Sequence, residues 1–380
     1  MRGLEAPAAS SDAARRARRR LRVRASARRP RTAGAGMVVR SPPSPVDPLL
    51  LGLVAVLDRP PDQDEQHGDR DLEDEHHPDE HRHAAHARSS RPLMPGMGST
   101  IPAMADAGLF GPETMTWRVN REGVLLLGGG RALILQVAHP LVAAGVAEHS
   151  NYREDPWGRL YRTLDLTTKI VFGSTHTARE ASERIWRVHG RVHGETAEPG
   201  GRYPAGTPYD ARSPELLMWV HATLVDTSLL IYTRYVGSLT IAERNRYYDE
   251  QKLLGEQFGV PRDEQPRTFA DFNAYVQEML ESDRIAVTDA LRDVVDATLR
   301  PELPIVARPL VSAMNLVTVG LLPDRLRRDL GVPWGTGRSR LFEASRLMMS
   351  GILPVLPRVM RDFPPARSAD RRVRRLAAAA

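Results

Sequence analysis

The sequence predicts an all-α protein built as a single multi-helix domain. Apolar residues recur at helical spacing from about Gly98 to Pro365, and alternating β-branched runs are scarce. Helix start signals recur along this stretch, and glycines or Gly-x-Pro sequences follow them where helices would end. The 380 residues contain no cysteine, which excludes disulfide scaffolds, cysteine-bearing zinc sites and thiol catalysis. We expect about eight to ten helices.

The first 96 residues differ in composition from the rest. Residues 1–40 carry 12 Arg and two acids, and residues 41–96 carry 5 Arg and 12 acids, with no periodicity on which a core could form. Such polar sequence predicts disorder. We expect a disordered low-complexity tail over 1–96, a catalytic domain over 97–365 and a basic, Ala-rich tail over 366–380. An alternative explanation of the first segment is a natural start at Met94, Met97 or Met104.

The net charge of +6 does not indicate a nucleic-acid partner. Residues 1–40 contribute +10 and residues 41–96 contribute −7, so the remaining 284 residues carry only +3. Nucleic-acid binding would need a basic stripe on one element, and the sequence of the body contains none. We therefore expect no nucleic-acid partner.

Three apolar segments bear on membrane contact. Pro48–Leu57 is about half the length that spans a bilayer. Val124–Val146 is interrupted by polar side chains and by Pro140, which would bend it, so it predicts a buried helix pair. Leu341–Met360 is expected to pack in the core, although its Met and Leu side chains would also suit a ligand or a membrane surface. We expect a cytoplasmic protein and leave peripheral membrane contact open.

Several helix starts can be placed to the residue. In a capping box, a Thr or Ser side chain and an acidic side chain three residues later satisfy each other's free backbone donors. A Ser cap before a Pro at the first helical position is a second start signal. These signals predict N-caps at Thr177, Ser213, Thr240 and Thr268.

The three glycines Gly128–Gly130 are not a phosphate loop. No strand is predicted before them, and no Gly-Lys-Ser/Thr follows them. We expect them to form a close turn into the helix that carries Arg131.

His221 is the most informative single position. It lies in the apolar segment Glu215–Tyr232, where Leu217 and Val225 flank it at helical spacing, so its imidazole should project from a buried face. Burial disfavours the imidazolium and leaves a lone pair free for a metal or a haem iron. On the residues alone, a hydrogen-bonded core histidine is the simpler interpretation.

Two further groups of side chains have ligand-like spacing. His189 and His193 stand four residues apart, as zinc ligands on one helix face would, but flanking glycines favour a frayed, exposed pair. A non-haem metallohydrolase that uses this histidine pair is one alternative function. Arg159, Arg162 and Thr163 fall on neighbouring helical turns, where two guanidiniums would clamp carboxylates such as haem propionates or simply face solvent.

An ordered set of short motifs resembles the MpaB/latex-clearing oxygenase family. The likeness covers roughly residues 105–360, in the same order and with compatible spacing. Its pieces are Arg131–Gly145, Arg159–Thr163, Met218–Ala222, Tyr247–Glu250 and Gly320–Pro323.

The resemblance implies an all-α, globin-reminiscent fold that holds a b-type haem. The best-known chemistry of the family is dioxygen-dependent cleavage of carbon–carbon double bonds in isoprenoid-like chains. The axial histidine of the family matches His221, which would be the iron ligand, and Arg131 and His139 match positions that recur in family sequences and line the pocket. These three are the predicted cofactor-binding residues. The Arg-x-x-Lys-Thr element of latex-clearing protein matches Arg159, Arg162 and Thr163, which are the predicted catalytic residues.

One departure from the family pattern concerns proton transfer. Arg162 stands where that element has a lysine, and an arginine does not release a proton as a lysine can. We expect a haem b-dependent oxygenase that acts with dioxygen on a lipophilic substrate and uses an unidentified redox partner. The alternative is a non-catalytic α-helical protein that binds haem or a lipophilic ligand.

Overall fold

The computed structural model describes residues 106–150, 156–301 and 307–379, with the backbone alone at 156–161. These residues form fourteen α-helices and one two-stranded sheet, which confirms the all-α class. The number of helices exceeds the predicted eight to ten partly because three of them have only four to six residues. The tail expected over 1–96 lies outside the described residues. The helices are α1 Met115–Asn120, α2 Gly129–Val137, α3 Pro140–His149, α4 Pro156–Phe172, α5 Thr175–His189, α6 Pro214–Ile231, α7 Ile241–Phe258, α8 Phe269–Glu281, α9 Asp289–Leu299, α10 Arg308–Leu321, α11 Asp324–Asp329, α12 Thr336–Ile352, α13 Arg358–Arg361 and α14 Pro364–Ala379.

A short β-hairpin connects α5 to α6. Its strands, β1 His193–Glu195 and β2 Pro208–Asp210, pair antiparallel with Gly194 opposite Tyr209. Strands of three residues are too short to show an alternating pattern, so the sequence did not predict the hairpin.

The predicted helix starts are confirmed at three of four positions. Thr240 and Thr268 each form a complete capping box, with Glu243 and Asp271 respectively. Ser213 is the N-cap before Pro214, although its side chain makes no capping hydrogen bond. The prediction at Thr177 is wrong, because Ser174 takes the cap three residues earlier and accepts from the Thr177 backbone N–H.

Helix α6 lies at the centre of the fold. Eleven of its eighteen residues are buried, and it packs against α2, α7 and α8. Together with the single π-turn that follows, it forms the segment Pro214–Val236, whose length and mean hydropathy of 1.3 would suffice to cross a membrane. Because 67% of that apolar window is buried inside the protein, the core itself accounts for the composition.

The apolar segment Val124–Val146 forms the predicted helix pair. The stretch Gly123–Val137 and helix α3 meet at a bend of 105°, and Pro140 is the first residue of the second helix. The indole N–H of Trp219 on α6 donates to the Leu135 carbonyl of α2 at 3.0 Å. This contact places the first half of the pair against the central helix, and after the bend α3 packs against the β-hairpin and α9.

The last helix, α14, packs against α4. Ala366 and Ala369 are buried in that contact, and Arg372 Nη2 donates to the Phe172 carbonyl at 2.8 Å. Asp370 pairs at 2.7 Å with Arg121, the residue that follows α1. The basic, Ala-rich segment from residue 366 therefore folds as a helix as far as Ala379, and this helix packs on the rest of the domain.

The apolar segment Leu341–Met360 is not buried as expected. Phe342 and Leu353 face the core, but Leu341, Met348 and Val355 are 61%, 57% and 77% exposed. The expectation of core packing is therefore wrong for the outer face of α12 and for the turn after it.

Candidate functional site

His221 occupies the middle of the buried central helix. Its side chain has no solvent exposure, and neither ring nitrogen has a hydrogen-bond partner among the described residues. Burial lowers the pKa of His221 to about 4. The nearby main-chain carbonyl of Gln251 has a smaller effect that raises the pKa, although it does not form a hydrogen bond of good geometry with either ring nitrogen. The ring is therefore neutral near pH 7 and keeps a free lone pair.

Helix α7 supplies the side chains that contact this imidazole. The ring of Phe258 meets it edge-on, with the two ring centroids 5.9 Å apart. Gln251 is 2% exposed; its side-chain amide donates to Thr116 Oγ1 at 3.1 Å, and its main-chain carbonyl lies near His221. The Phe258 ring and the Gln251 carbonyl are thus two of the groups that adjoin the imidazole.

Gln251 and Phe258 were not predicted from the sequence. The signal that could have found Gln251 is the buried face of α7, where Tyr247, Tyr248, Gln251 and Leu254 recur at three- to four-residue spacing. That face begins in the same Tyr-Tyr-Asp-Glu segment that carries part of the family resemblance.

Arg131 is buried and is engaged by other parts of the protein. Its Nη2 pairs with Asp226 Oδ2 at 2.7 Å, its Nη1 donates to Thr227 Oγ1 at 2.5 Å, and its Nε donates to the Leu321 carbonyl at 2.9 Å. The side chain therefore ties α2 to the central helix one to two turns beyond His221, and also to the end of α10. The cofactor-binding role expected for it stays a prediction.

His139 lies at the start of α3, where the helix pair bends. It has no solvent exposure, and its Nε2 lies 3.3 Å from the Tyr203 hydroxyl. Burial, with a smaller effect of the nearby Arg284 cation, lowers its pKa to about 4. The structure therefore places this predicted cofactor-binding residue as a neutral imidazole beside a tyrosine, and its role stays a prediction.

The predicted catalytic stretch lies on α4. Arg162 and Thr163 are exposed there, and both make contacts with the protein. The side chain of Arg159 falls outside the described residues. The catalytic role of these three residues stays a prediction.

The histidine pair at His189 and His193 does not share a helix face. Helix α5 ends at His189, and His193 lies on strand β1. In the described ranges, no group of three His, Asp or Glu side chains is arranged to hold a metal ion. The spacing that motivated a non-haem metal site is thus not realised on one helix.

A small cavity of about 110 Å³ lies between α3 and the start of α9. Ligand pockets usually hold roughly 300–1,000 Å³, so this one is too small for a macrocycle. Its walls come mainly from small side chains and do not include His221. The candidate for a haem site therefore rests on the imidazole itself.

The comparison with protein families gives one match. The family described as ER-bound oxygenase mpaB/B'/Rubber oxygenase, catalytic domain, matches residues 117–352, from α1 to the end of α12. No curated protein and no solved structure matches the chain. The matched span covers more than half of the sequence and contains the buried central helix with His221. The chain therefore belongs to the mpaB/rubber oxygenase catalytic-domain family.

Proposed function

We propose that this protein is a haem-dependent oxygenase in which the imidazole of His221 would hold the haem iron. The observation that carries the proposal is the imidazole itself, which is fully buried, has its pKa lowered by burial to about 4, and has no hydrogen-bond partner for either nitrogen among the described residues. An unpartnered buried polar group costs about 1–3 kcal/mol, so a fold that keeps one needs a reason. A bond from one ring nitrogen to iron would supply that reason.

Residues around His221 support an axial ligand. A metal-bound histidine usually donates its second ring N–H to a carbonyl or carboxylate, and the Gln251 main-chain carbonyl is the neighbouring acceptor suited to that role. The Arg131–Asp226 pair holds the helix that carries His221 against α2. The buried side chains of Leu217, Ala222 and Val225 keep water from this part of the core. When bound, the haem would supply the dioxygen chemistry, and the protein would supply ligation, orientation and a dry site.

We assign the substrate to the lipophilic, isoprenoid-like class, with cleavage of a carbon–carbon double bond as the reaction. Family membership supports this assignment. Arg159 and Arg162 would pair with the haem propionates, and the Thr163 hydroxyl would donate a hydrogen bond on the same side. Because Arg162 keeps its proton, its contribution is a fixed positive charge.

Titration of the purified protein with haemin tests the ligand. We expect a Soret band and a higher melting temperature for the wild type, because a ligand that binds only the folded state stabilises it. His221→Ala should lose both effects, and His176→Ala, which changes an exposed histidine on α5, should keep them. A correctly folded wild type that leaves the spectrum of free haemin unchanged and gains no stability would overturn the assignment.

Oxygen uptake with isoprenoid alkenes tests the reaction. The oxygenase predicts oxygen consumption and carbonyl products detectable by mass spectrometry. A Soret band with no oxygen consumption would instead identify a non-catalytic haem-binding protein.

A further inference from the structure

The outer face of α12 and the turn after it expose an unusual amount of apolar surface. Ten large hydrophobic side chains are exposed among the described residues, and seven of them lie between Leu341 and Met360. Isolated exposed hydrophobics are normal, but a contiguous group of them marks a contact surface. The seven are Leu341, Leu347, Met348, Ile352, Val355, Val359 and Met360.

Three of the seven residues share one side of α12, and Val355, Val359 and Met360 lie beyond the helix. Leu341, Met348 and Ile352 are spaced by seven and four residues, so they form one stripe along the helix. Phe342, next to the stripe, points the other way into the core and is 7% exposed. The helix therefore has two apolar sides. The described residues cover the inner side, which carries Phe342, and leave the outer side exposed.

Arginines surround the same side chains. The span 336–361 contains five Arg and one acid, Glu343, and Arg361 pairs with Glu122 outside the span, which leaves a formal excess of +3. Glu343 is already engaged by Arg234 of the π-turn after α6. Arg340 and Arg358 pair with no carboxylate in the part of the chain that the structure describes. We call the seven apolar residues with Arg340 and Arg358 the apolar–arginine face.

The basic helix α14 adjoins this face directly. Arg367 Nη1 donates to the main-chain carbonyl of Val359 at 2.6 Å. The rest of α14 contributes four more arginines against one acid, Asp370. The excess positive charge therefore extends from the apolar side chains along the neighbouring helix.

We propose that the apolar–arginine face docks the protein on the surface of an anionic lipid bilayer. Apolar side chains enter the boundary between headgroups and acyl chains, and arginines contact the lipid phosphates, as in interfacial helices. A second copy of the chain is a poorer occupant, because self-association through this face would bring two positive surfaces together. The docking is independent of haem and brings the domain to the phase in which lipophilic substrates dissolve.

Vesicle flotation with the purified full chain tests the docking. We expect binding to vesicles that contain phosphatidylglycerol, little binding to pure phosphatidylcholine, and release at high salt. Val355→Ser combined with Val359→Ser should lower the partition coefficient by about tenfold or more. Arg340→Ser and Arg358→Ser should each lower it by about fivefold.

Matched controls lie outside the apolar–arginine face. Ile241→Ser removes an apolar side chain that is 79% exposed on α7, and Arg191→Ser removes an exposed arginine before β1. Both variants should bind like the wild type. Equal binding by the face variants and the controls, or no binding to anionic vesicles, would overturn the proposal.

Methionine oxidation distinguishes the other occupants. Met348 and Met360 are 57% and 70% exposed, so a mild oxidant should convert them to sulfoxides in the free chain, and anionic vesicles should protect them. Met218, which is 4% exposed, reports whether the fold stays intact. Protection of the two exposed methionines in the absence of vesicles contradicts the proposal. If dilution removes this protection, a second copy of the chain covers the face. If the protection persists on dilution, another part of the same chain covers it.

Discussion

Arg131 Nη2 lies 2.7 Å from Asp226 Oδ2, and this ion pair links α2 to the helix that carries His221. Asp226 follows His221 by five residues on α6, so the pair fixes the rotation and height of that helix. The guanidinium is 5% exposed and the carboxylate 25%, which places the pair at the edge of the core. A mutation here should therefore affect stability and the His221 site together.

We expect Arg131→Ala to lower the free energy of unfolding by about 3 kcal/mol or more, because it leaves a half-buried carboxylate and a buried hydroxyl unpaired. Arg131→Lys should lie between this variant and the wild type, since a lysine cannot serve all three acceptors in the same geometry. Arg179→Ala removes an exposed pair with Glu183 and should change stability by less than about 1 kcal/mol. Urea unfolding measures all three, and equal costs for Arg131→Ala and Arg179→Ala would refute the structural role of the buried pair.

The three glycines before Arg131 should respond differently to alanine. A Cβ on Gly128 would lie 2.5 Å from Thr227 Cγ2, and one on Gly130 would lie 2.6 Å from Thr318 Oγ1, whereas Gly129 faces open space. We expect Gly128→Ala and Gly130→Ala to cost about 1–3 kcal/mol through overpacking. Gly129→Ala should be neutral or stabilise by up to about 1 kcal/mol, because it removes chain entropy from the unfolded state. Denaturant midpoints of the three variants provide the comparison, and a similar cost at all three positions would contradict the close approach.

Local signals in the sequence predicted the helix starts well. The Thr240 cap needs only residues within one turn, so its capping box could be read directly from the chain. At Thr177 the same pattern failed, because Ser174 offered an equivalent cap three residues earlier and the helix began there. Neighbouring residues with similar capping strength cannot be ranked by pattern alone.

Contacts between distant residues could not be predicted in the same way. The spacing around His221 predicted a buried face, and that is confirmed. Its neighbours Gln251 and Phe258 come from another helix, and Asp226 meets Arg131 from 95 residues away. Periodicity and capping signals are local, so they do not show which helices will face each other. The fold class and the key imidazole were therefore accessible, whereas the surroundings of that imidazole required the structure.

Acid should destabilise the protein through its buried histidines. The pKa values of His139 and His221 are lowered from 6.5 to about 4 by burial. Above pH 6.5 both rings are neutral in the folded and in the unfolded chain, so the histidines do not lower the free energy of unfolding. Between pH 6.5 and 4 the unfolded chain takes up protons that the folded protein does not, so stability falls by up to about 1.4 kcal/mol per pH unit for each histidine.

The variant His139→Gln isolates one of these two contributions. It should flatten the decline in unfolding free energy between pH 6.5 and 4 by about the amount expected for one histidine. His176→Gln, which replaces an 80% exposed side chain, should leave the curve unchanged. Guanidinium unfolding at several pH values measures the slopes, and equal slopes for His139→Gln and the wild type would show that His139 is not kept neutral by the fold.

Replacement of His221 separates a functional histidine from a structural one. Replacement of a hydrogen-bonded core histidine would destabilise the protein, but neither nitrogen of this ring has a hydrogen-bond partner in the part of the chain that the structure describes. We therefore expect His221→Leu, which keeps the volume and removes the buried polar atoms, to raise the unfolding free energy of the haem-free protein by about 1–2 kcal/mol. The same variant should show no Soret band after haemin titration. A stabilised protein that no longer binds haem would mean that the wild type keeps a destabilising side chain for ligation. A variant that is strongly destabilised, or that still binds haem with an unchanged spectrum, would return His221 to the ordinary residues of the core.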